Sequence, residues 1–429
     1  MNLTIKERID IIKTGSIPDG YKRCKTGTIP KDWDEKRIVE ICNVNKQSLN
    51  GSTPKDYLFN YYDLSSIDNG KIMHPPNQIR FEEAPSRARR IFKKNDILMS
   101  TVRPYLKGFA YIDFDCRDCI ASTGFAILES KNDKDAMLIY HNLFSYAIDK
   151  QINSLLVGSN YPAINSSDVE NLKIPYAHNA CEREIIGNIL TTWDKAIELK
   201  EKLIEEKKKQ KTGLMQKLLT GKVRLSGFDK EWVNVKLKKI LKQRNEKSEI
   251  KEGLELYSLT IEDGVTPKTD RYNREFLVKS GNKKYKITKC NDIVYNPANL
   301  RFGAIAVNRI GQSVLLSPIY EVLYIKDEKK YDIDFVGQLL TWNRNIKYFS
   351  TMAEGTLVER MAVKIDAFLD VAFKFPPSLE EQKAIASILS LADKEICILK
   401  KEVISLKKQK KGLMQLLLTG IVRVNTQES

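Results

Sequence analysis

The sequence lacks the glycine-rich motifs with which nucleotide-binding enzymes hold a phosphate. No two of its 21 glycines stand two positions apart, so the pattern G-x-G does not occur. Its absence removes the tight turn of dinucleotide and S-adenosylmethionine folds. Thr220-Gly221-Lys222 resembles the end of a phosphate loop, but Gln216 occupies the first glycine position and Val223 follows the lysine. We therefore interpret this stretch as the end of a helix.

Residues for other catalytic or metal sites are also scarce. Asn296-Pro297-Ala298-Asn299 lacks the second proline and the aromatic residue of the N-P-P-aromatic motif of amino-methyltransferases, so a turn is favoured. The three histidines have no cysteine or acid at a motif spacing, and we expect them at the surface or in turns. Only Cys116 and Cys119 form a C-x-x-C, and no second pair completes a zinc site. We predict reduced thiols, with no catalytic residue and no metal ligand.

Long apolar segments are absent as well. No stretch approaches the roughly 18 apolar residues of a membrane span. The amphipathic N-terminus carries acidic residues, unlike a signal peptide. These features predict a cytoplasmic protein with no membrane partner.

The charge balance is strongly positive. The chain has 71 Lys and Arg against 55 Asp and Glu, a net charge of +16, with a hydrophobic content of 42% that supports real cores. An excess of this size favours a polyanionic partner, although solvated surface lysines would produce the same composition.

The dominant feature that is present is an internal repeat. QKTGLMQKLLTGKVRL at 210–225 returns as QKKGLMQLLLTGIVRV at 409–424, with 12 of 16 positions identical. The same offset of 199 residues relates Trp33 to Trp232. The chain therefore contains an internal duplication, and each half ends in a long helix.

The two repeated helices have an apolar period of 3.5 residues, which is typical of a coiled coil. The second-helix positions are Ile385, Leu389, Ala392, Ile396, Leu399, Val403, Leu406, Lys410, Leu413 and Leu417. The first-helix positions are Ile186, Leu190, Trp193, Ile197, Lys200, Ile204, Lys207, Lys211, Leu214 and Leu218, a seam that three lysines interrupt. Prolines precede both helices, and Gly221 and Gly420 follow them. A generic dimerisation coiled coil is the alternative, but a duplicated unit favours antiparallel pairing of the two copies within the chain.

Before each long helix, from Trp33 to about Pro175 and over 230–376, the sequence consists of short apolar runs bounded by Asn, Asp, Gly and Pro, which indicates strands in loop-rich α/β domains. We predict an α+β protein: two α/β globular domains separated by two long antiparallel coiled-coil helices in a pseudo-two-fold repeat. The predicted segments are an N-terminal helix and arm (1–28), a first domain (29–178), a central helix (179–221), a second domain (222–377), a C-terminal helix (378–420) and a tail (421–429).

Each globular domain carries clusters of cations mixed with amides and aromatic residues. Arg and Asn can pair with base edges, whereas Lys mainly neutralises phosphate, so such clusters favour contact with DNA over an ordinary solvated surface. The candidates are Arg80, Arg87, Arg89, Arg90, Arg103, Tyr105, Lys107, Arg271, Tyr272, Arg274, Lys283, Lys284, Asn299 and Arg301.

With these features assembled, the chain resembles the specificity subunit of a type I restriction-modification system along nearly its whole length. The matching stretches are Ile29-Pro30 with Trp33, Asp96-Ile97-Leu98, Asn160-Tyr161-Pro162-Ala163-Ile164, Pro376-Pro377 with Glu381-Gln382, and the two Leu-Met-Gln…Leu-Leu-Thr-Gly helix ends. The first half departs at Pro175-Tyr176 and Glu182-Arg183, where the family usually shows a second proline and Glu-Gln. The resemblance adds Asn160 and Tyr161 to the DNA-binding candidates.

The resemblance implies a division of labour. Each globular domain would be a target-recognition domain for one half of a split, asymmetric sequence in double-stranded DNA. The helices would set the spacer and dock two methyltransferase subunits, at the lysine-interrupted seam and the exposed helix flanks. Methyltransferase and restriction subunits would be separate chains that hold S-adenosylmethionine, ATP and Mg²⁺, and this chain would hold no cofactor and catalyse nothing.

Two alternatives come from other classes. A self-sufficient DNA-modifying enzyme would need an active site that the sequence does not reveal, and a G-x-G motif would have favoured it. A coiled-coil scaffold that binds no DNA would be favoured by neutral or acidic domains, which this chain does not have.

Overall fold

A computed structural model describes residues 3–68, 70–73, 78–156, 162–268, 284–355 and 361–426. The chain divides into two compact units, one comprising Met1–Glu201 with Glu402–Ser429 and the other Lys202–Lys401. Within the described ranges, no helix combines the length and the apolar character needed to cross a membrane.

The globular part of the first unit is built from strands and short helices. Its helices are α1 (Ile5–Lys13), α2 (Ile38–Ile41), α3 (Ala136–Leu143), α4 (Tyr146–Leu155) and α5 (Ser166–Asn171). Its strands are β1 (Tyr21–Cys24), β2 (Gly27–Pro30), β3 (Trp33–Arg37), β4 (Cys42–Val44), β5 (Leu58–Tyr62), β6 (Ile67–Asp68), β7 (Lys71–Ile72), β8 (Gln78–Arg80), β9 (Ala88–Ile91), β10 (Ile97–Ser100), β11 (Phe109–Tyr111), β12 (Cys119–Ser122), β13 (Phe125–Ser130) and β14 (Lys173–Ala177).

Two four-stranded sheets form the core of this unit, in the orders β11-β10-β13-β4 and β8-β5-β12-β9. The central strand β10 is buried along its whole length, as a short continuous apolar run predicts. Because successive side chains point to opposite faces, Met99 packs with α3 residues such as Ile139, whereas Leu98 packs with Phe125 and Tyr62 between the sheets. One strand therefore joins two apolar clusters.

The second unit repeats this plan. The helices from the first long helix onward are α6 (Ala180–Leu218), α7 (Leu237–Ile240), α8 (Ile333–Thr341), α9 (Asn343–Thr351), α10 (Ile365–Asp370) and α11 (Leu379–Leu417). The strands are β15 (Val233–Lys236), β16 (Leu241–Gln243), β17 (Lys247–Ser248), β18 (Leu256–Thr260), β19 (Gly264–Pro267), β20 (Tyr285–Thr288), β21 (Ile293–Tyr295), β22 (Ile305–Val307), β23 (Val314–Leu316), β24 (Glu321–Ile325) and β25 (Ala372–Phe375).

The sheet topology of the two units is the same. The order β16-β24-β21-β22 corresponds to β4-β13-β10-β11, and β20-β23-β18-β19 corresponds to β9-β12-β5-β8, with β17 added at an edge. In each unit one pair is parallel, β5 with β12 and β18 with β23. The predicted α+β class, internal repeat and pair of long helices are confirmed.

The long helices run antiparallel within each unit. In the first unit Lys410 Nζ donates to Asp194 at 2.5 Å, and Lys200 contacts Glu402. In the second unit the equivalent lysine, Lys211, donates to Asp393 at 2.7 Å. As the residue number increases along the first long helix, the number of the contacting residue on the second decreases, so the two helices are antiparallel. The predicted seam residues Ile197, Ile204, Ile396 and Val403 are buried.

The end of one long helix docks on the tryptophan of each globular part. In the second unit the indole Nε1 of Trp232 donates to Glu381 at 3.2 Å, and Arg224 donates to both carboxylate oxygens at 2.8 and 2.9 Å. Glu381 is only 1% exposed. Gly221 precedes this arginine at a φ of +68°, and a Cβ there would lie 3.1 Å from the Trp232 ring.

The first unit makes the same contact with residues from both ends of the chain. Trp33 donates to Glu182 at 3.2 Å, and Arg423 donates to that carboxylate at 2.6 and 2.8 Å. Arg423 also donates to Asp32. Leu417 and its neighbours pack against the Trp33 ring. A buried carboxylate requires such compensation, so these charged contacts define how each helix end docks.

The first half departs from the family pattern by carrying Arg183 where the second half has Gln382, and a nearby acidic residue balances the added charge. In the second unit Gln382 donates to the backbone oxygens of Lys330 and Pro376. Its counterpart Arg183 donates to the backbone oxygens of Ala177 and His178. The added charge is balanced by Asp135, 2.6 Å from Arg183 Nε and 2.5 Å from the Tyr176 hydroxyl. Tyr176 in place of proline therefore belongs to the same exchange.

Two expectations about single residues are wrong. Cys116 and Cys119 are joined in a disulfide, because the turn between them, with Asp118 at a φ of 52°, brings their Cα atoms within 5.8 Å. His141 lies in the core rather than at the surface, with its Nε2 3.1 Å from the Thr191 hydroxyl of α6. Burial lowers the pKa of His141 to about 3, so it stays neutral at pH 7.

The docking contact can be tested by removing its arginine. We expect Arg224→Met to lower the free energy of unfolding by about 2–4 kcal/mol, since it leaves the buried Glu381 carboxylate uncompensated. Urea unfolding followed by tryptophan fluorescence measures the effect. In the control Arg224→Met/Glu381→Gln, which buries no charge, most of the loss should be restored. A single variant as stable as the unchanged chain would contradict this account.

Candidate nucleic-acid interface

The first candidate surface is the loop at 101–108, which follows the buried strand β10. Thr101 donates its backbone N–H and its hydroxyl to Gly124 O at 2.8 and 2.9 Å. Arg103 N donates to Pro162 O at 2.9 Å, and Ile164 N donates to Thr101 O at 2.9 Å. The loop is therefore fixed to the 122–124 turn and to the segment at 162–164.

The backbone of this loop is held in an unusual conformation. Arg103 and Lys107 have φ values of 47° and 55° and flank a single 3-10 turn, Pro104–Leu106. Left-handed conformations are costly for residues other than glycine and concentrate at functional sites. The turn exposes Tyr105 (45%) and Leu106 (60%). A strained, anchored loop thus presents an aromatic and an aliphatic side chain to solvent.

The ammonium group of Lys107 forms an ion pair within the first unit. Its Nζ lies 2.8 Å from Asp149 on α4, with both side chains one third exposed. This ion pair ties the loop to the helix below it. Lys107, which the sequence suggests as a DNA contact, therefore pairs with an acidic residue of its own unit.

The arginines between β8 and β9 are distributed along one sheet. Arg87 lies beside the 122–124 turn, because its backbone oxygen accepts from Thr123 N at 2.8 Å. The Arg89 guanidinium lies 4.8 Å from the Phe81 ring centroid. Arg90 Nη1 donates to Ser48 at 3.2 Å, and burial lowers its pKa. Arg80 pairs with Leu58 at the opposite end of the sheet from the 122–124 turn. Arg87 therefore contacts the same turn to which the 101–108 loop is anchored.

The second unit has an equivalent loop at 296–303 after β21. Val363 N donates to Pro297 O at 2.9 Å, as Ile164 N does to Thr101 O in the first unit. Asn296 Oδ1 accepts from Ala298 N at 3.1 Å, which confirms the predicted turn. Gly303, at a φ of 98°, ends the 3-10 turn Leu300–Phe302.

This second loop also exposes a large apolar residue beside a cation. Phe302 is 59% exposed, and the Arg301 guanidinium lies 4.6 Å from its ring centroid. Asn299 is exposed at the start of the turn. The loop thus presents a cation, an amide and an aromatic face together, the groups that contact phosphates, base edges and base faces.

The remaining candidates fall elsewhere. Lys284 is exposed directly before β20. Six candidates lie outside the described residues: Asn160, Tyr161, Arg271, Tyr272, Arg274 and Lys283. Among the described residues, no group of His, Cys, Asp and Glu is arranged to hold a metal ion.

The exposure of Leu106 and Phe302 in the candidate loops was not predicted from the sequence, although a sequence pattern pointed to them. Each apolar residue stands in a short loop directly after a fully buried strand, next to a cation. A sequence alone does not distinguish such a residue from a core residue, because burial depends on how the loop is anchored by distant segments such as 162–164.

The outer flanks of the long helices form a second type of surface. Leu199 and Ile404 of the first unit are 66% and 68% exposed. In the second unit Leu391 and Ile398, seven residues apart on one helix face, are 69% and 57% exposed.

The lysine-interrupted seam, by contrast, is not an open surface. Lys207 pairs with Glu395 at 2.6 Å, and Lys211 pairs with Asp393 in the same unit. Acids of the other helix thus pair with these two lysines, and docking of a methyltransferase subunit at the seam stays a prediction. The exposed apolar residues named above lie on the flanks of the helices.

The sequence of this chain is similar to those of known proteins. The family model described as Type I restriction modification DNA specificity domain matches residues 30–208. A putative type I restriction enzyme MjaX specificity subunit from Methanocaldococcus jannaschii is 27% identical over 442 residues, covering 95% of this chain and 98% of the relative. The type I restriction enzyme MjaVIII specificity subunit of that organism is also 27% identical, covering 95% and 96%.

Solved structures share the fold. A chain from a structure on complex assembly and conformational transition of the type I R-M system matches with a TM-score of 0.59 and 21% identity, over 92% of this chain and 99% of that one. A type I restriction-modification S subunit from M. genitalium matches with a TM-score of 0.57 and 16% identity, over 90% and 96%.

The 296–303 loop allows a direct test of nucleic-acid contact. We expect Phe302→Ala to weaken binding of a DNA duplex about tenfold or more, because burying an exposed Phe side chain at an interface contributes about 1.5–3 kcal/mol. Fluorescence anisotropy at fixed salt measures the affinity. Val233→Ala is the matched control, since Val233 is 51% exposed but lies on β15, next to the helix junction. Equal affinities for both variants would exclude Phe302 from the interface.

Proposed function

We propose that this chain is a type I restriction-modification specificity subunit and that it recognises a split target in double-stranded DNA, with one half read by each unit. The observation that carries the proposal is a common frame with different loops. Both units have the same sheet orders and the same Trp–Glu–Arg contact. Their exposed loops read Arg-Pro-Tyr-Leu-Lys at 103–107 and Asn-Leu-Arg-Phe-Gly at 299–303.

Different loops on one frame favour an asymmetric target. Each base edge presents its own pattern of hydrogen-bond donors and acceptors, and a side chain recognises the base by matching that pattern. The first loop exposes Tyr105 and Leu106, whereas the second exposes Asn299 and Phe302 beside Arg301. Two identical half-sites would require similar chemistry at both loops. The net charge of +16 supports binding to the phosphate backbone at both half-sites.

The long helices serve as the spacer in this proposal. Each is a continuous helix of 39 residues that begins in one unit and ends in the other. Their seam is closed by apolar residues and by charged pairs such as Lys410–Asp194. A length set by hydrogen-bonded turns would fix the number of base pairs between the half-sites.

Catalysis is assigned to partner chains. The sequence has no G-x-G and no complete N-P-P-aromatic motif. We assign methyl transfer to two methyltransferase subunits docked on the helix flanks around Leu199 and Ile398, and DNA cleavage to restriction subunits. S-adenosylmethionine, ATP and Mg²⁺ belong to those chains in this proposal, which also places the complex in the cytoplasm.

Domain exchange tests the division of labour. Residues 230–376 are replaced by the equivalent domain of a relative with a different target, and methylated positions are mapped in a mixture with the methyltransferase partner. We expect one half of the target to change and the other to stay. The unexchanged chain is the control, and without its partner it should transfer no methyl group. A change in both halves, or methyl transfer by the chain alone, would contradict the proposal.

Paired insertions test the spacer. Seven residues added to each long helix, after Glu201 and after Lys401, preserve the apolar period and add about 10 Å of helix. We expect the preferred gap between half-sites to grow by about three base pairs at roughly 3.4 Å each. Insertion into one helix alone is the control, since it breaks the seam pairing and should abolish specific binding. An unchanged gap would show that the helices do not set it.

A further inference from the structure

The second unit contains a buried arginine site. Arg244 forms a two-pronged contact with Asp292, with Nε to Oδ2 at 2.7 Å and Nη2 to Oδ1 at 2.9 Å. Its Nη1 donates to Glu246 at 2.7 Å, and the guanidinium lies 4.8 Å from the Tyr324 ring centroid. Asp292 is 1% exposed and also accepts from Lys289 N at 2.7 Å. The buried carboxylate is thus neutralised by a planar cation of matching geometry.

The first unit has the same carboxylate. Asp96 is 4% exposed and accepts from Lys93 N at 2.8 Å, as Asp292 accepts from Lys289. The residues before the two aspartates, Asn95 and Asn291, have φ values of 72° and 68°. Asp96 and Asp292 are therefore equivalent in backbone as well as in side chain.

The arginine itself is missing from the first unit. The residue at its position is Asn45, whose backbone N–H donates to Ile127 O as that of Arg244 donates to Val322 O. Asn45 has a φ of 54°, and its side chain binds Ser166 and the backbone of Ile127 instead of Asp96. The space beside Asp96 is therefore left open.

This space is a small cavity lined mainly by charged and polar side chains. Its lining includes Lys46, Gln47, Phe92, Lys93, Asp96 and Glu129. The two lysine side chains bind Glu129 rather than Asp96. Within the described part of the chain, the Asp96 carboxylate has a backbone donor but no side-chain cation in hydrogen-bond contact.

The electrostatics reflect this difference between the two acids of the cavity. The ion pairs of Glu129 with Lys46 and Lys93 lower its pKa to about 2. Burial raises the pKa of Asp96 to about 6, because the nearby lysines offset only part of the cost of desolvation. A cation placed against Asp96 would recover that cost.

We propose that the cavity beside Asp96 is a binding site for a guanidinium group supplied from outside the chain. The group would take the place that Arg244 fills in the second unit, with two parallel hydrogen bonds to the carboxylate and its plane against the cavity wall. A planar fork matches a carboxylate in two places, which a lysine ammonium does not. The source is either a small guanidinium compound or an arginine side chain of a partner protein. This inference does not depend on the DNA proposal.

Ligand-observed NMR on the full chain tests the site, with methylguanidinium as the probe because its methyl signal reports saturation transfer. We expect saturable binding to the unchanged chain and none to Asp96→Asn, which keeps the side-chain shape but removes the charge. Tetramethylammonium at equal ionic strength is the control for non-specific cation binding. Binding should weaken as pH falls through about 6, since protonation of Asp96, which faces Lys46, Lys93 and Glu129, removes the charge.

A second variant is needed because Asp96→Asn could lose binding by failing to fold. Arg244→Ala opens the same site in the second unit, so methylguanidinium should bind at about twice the stoichiometry and raise the melting temperature of this variant more than that of the unchanged chain. Binding of N-acetyl-arginine amide as well would indicate an arginine of a partner, and binding of methylguanidinium alone a small guanidinium compound. Equal binding by Asp96→Asn and the unchanged chain, or no gain in Arg244→Ala, would overturn the inference.

Discussion

In each unit a tryptophan and an arginine bind one buried glutamate, and this contact holds the ends of the long helices against the globular part of the unit. Glu182 and Glu381 are almost completely buried, and removing the cation that pairs with a buried carboxylate is strongly destabilising. In each unit the pairing arginine, Arg423 or Arg224, directly follows the end of a long helix. The glutamate stands near the start of the other helix. The contact therefore fixes one helix end and one helix start against the same domain.

In the first unit this contact joins the N-terminal region of the sequence to the end of the second long helix. The first unit combines Trp33 with Leu417 and Arg423, which are separated by almost the whole sequence. The N-terminal arm adds to the closure, since the Tyr21 hydroxyl donates to Gly420 O at 3.0 Å. In the second unit the corresponding segments, around Gly221 and Trp232, are continuous in sequence. The duplicated helix ends are thus similar because they make the same contact twice.

The repeat made the frame predictable from the sequence. An offset of 199 residues located both tryptophans and both helices, and the 3.5-residue period identified buried seam positions such as Ile197 and Ile396. The charged contacts were less accessible, because the partners of Lys211 and Arg183 lie far away in sequence. His141 was misplaced for the same reason. Its burial against Thr191 follows from packing of α3 on α6, which no local pattern encodes.

The candidate site was predictable in composition but not in geometry. The sequence identified Arg103, Tyr105 and Arg301 beside buried strands, but the anchoring contacts to Pro162 and Pro297 decide which side chains are exposed. The same holds for Asp96 and Asp292, which look alike in sequence and differ in their partners.

In the proposed function, one duplicated frame carries two target-recognition domains that bind different DNA sequences. This division can be measured by selecting bound duplexes from a random library with the chain in complex with its methyltransferase partner. We predict a motif of two unlike half-sites separated by a gap of constant length and variable sequence. A single uninterrupted motif, or two identical half-sites in inverted orientation, would contradict it.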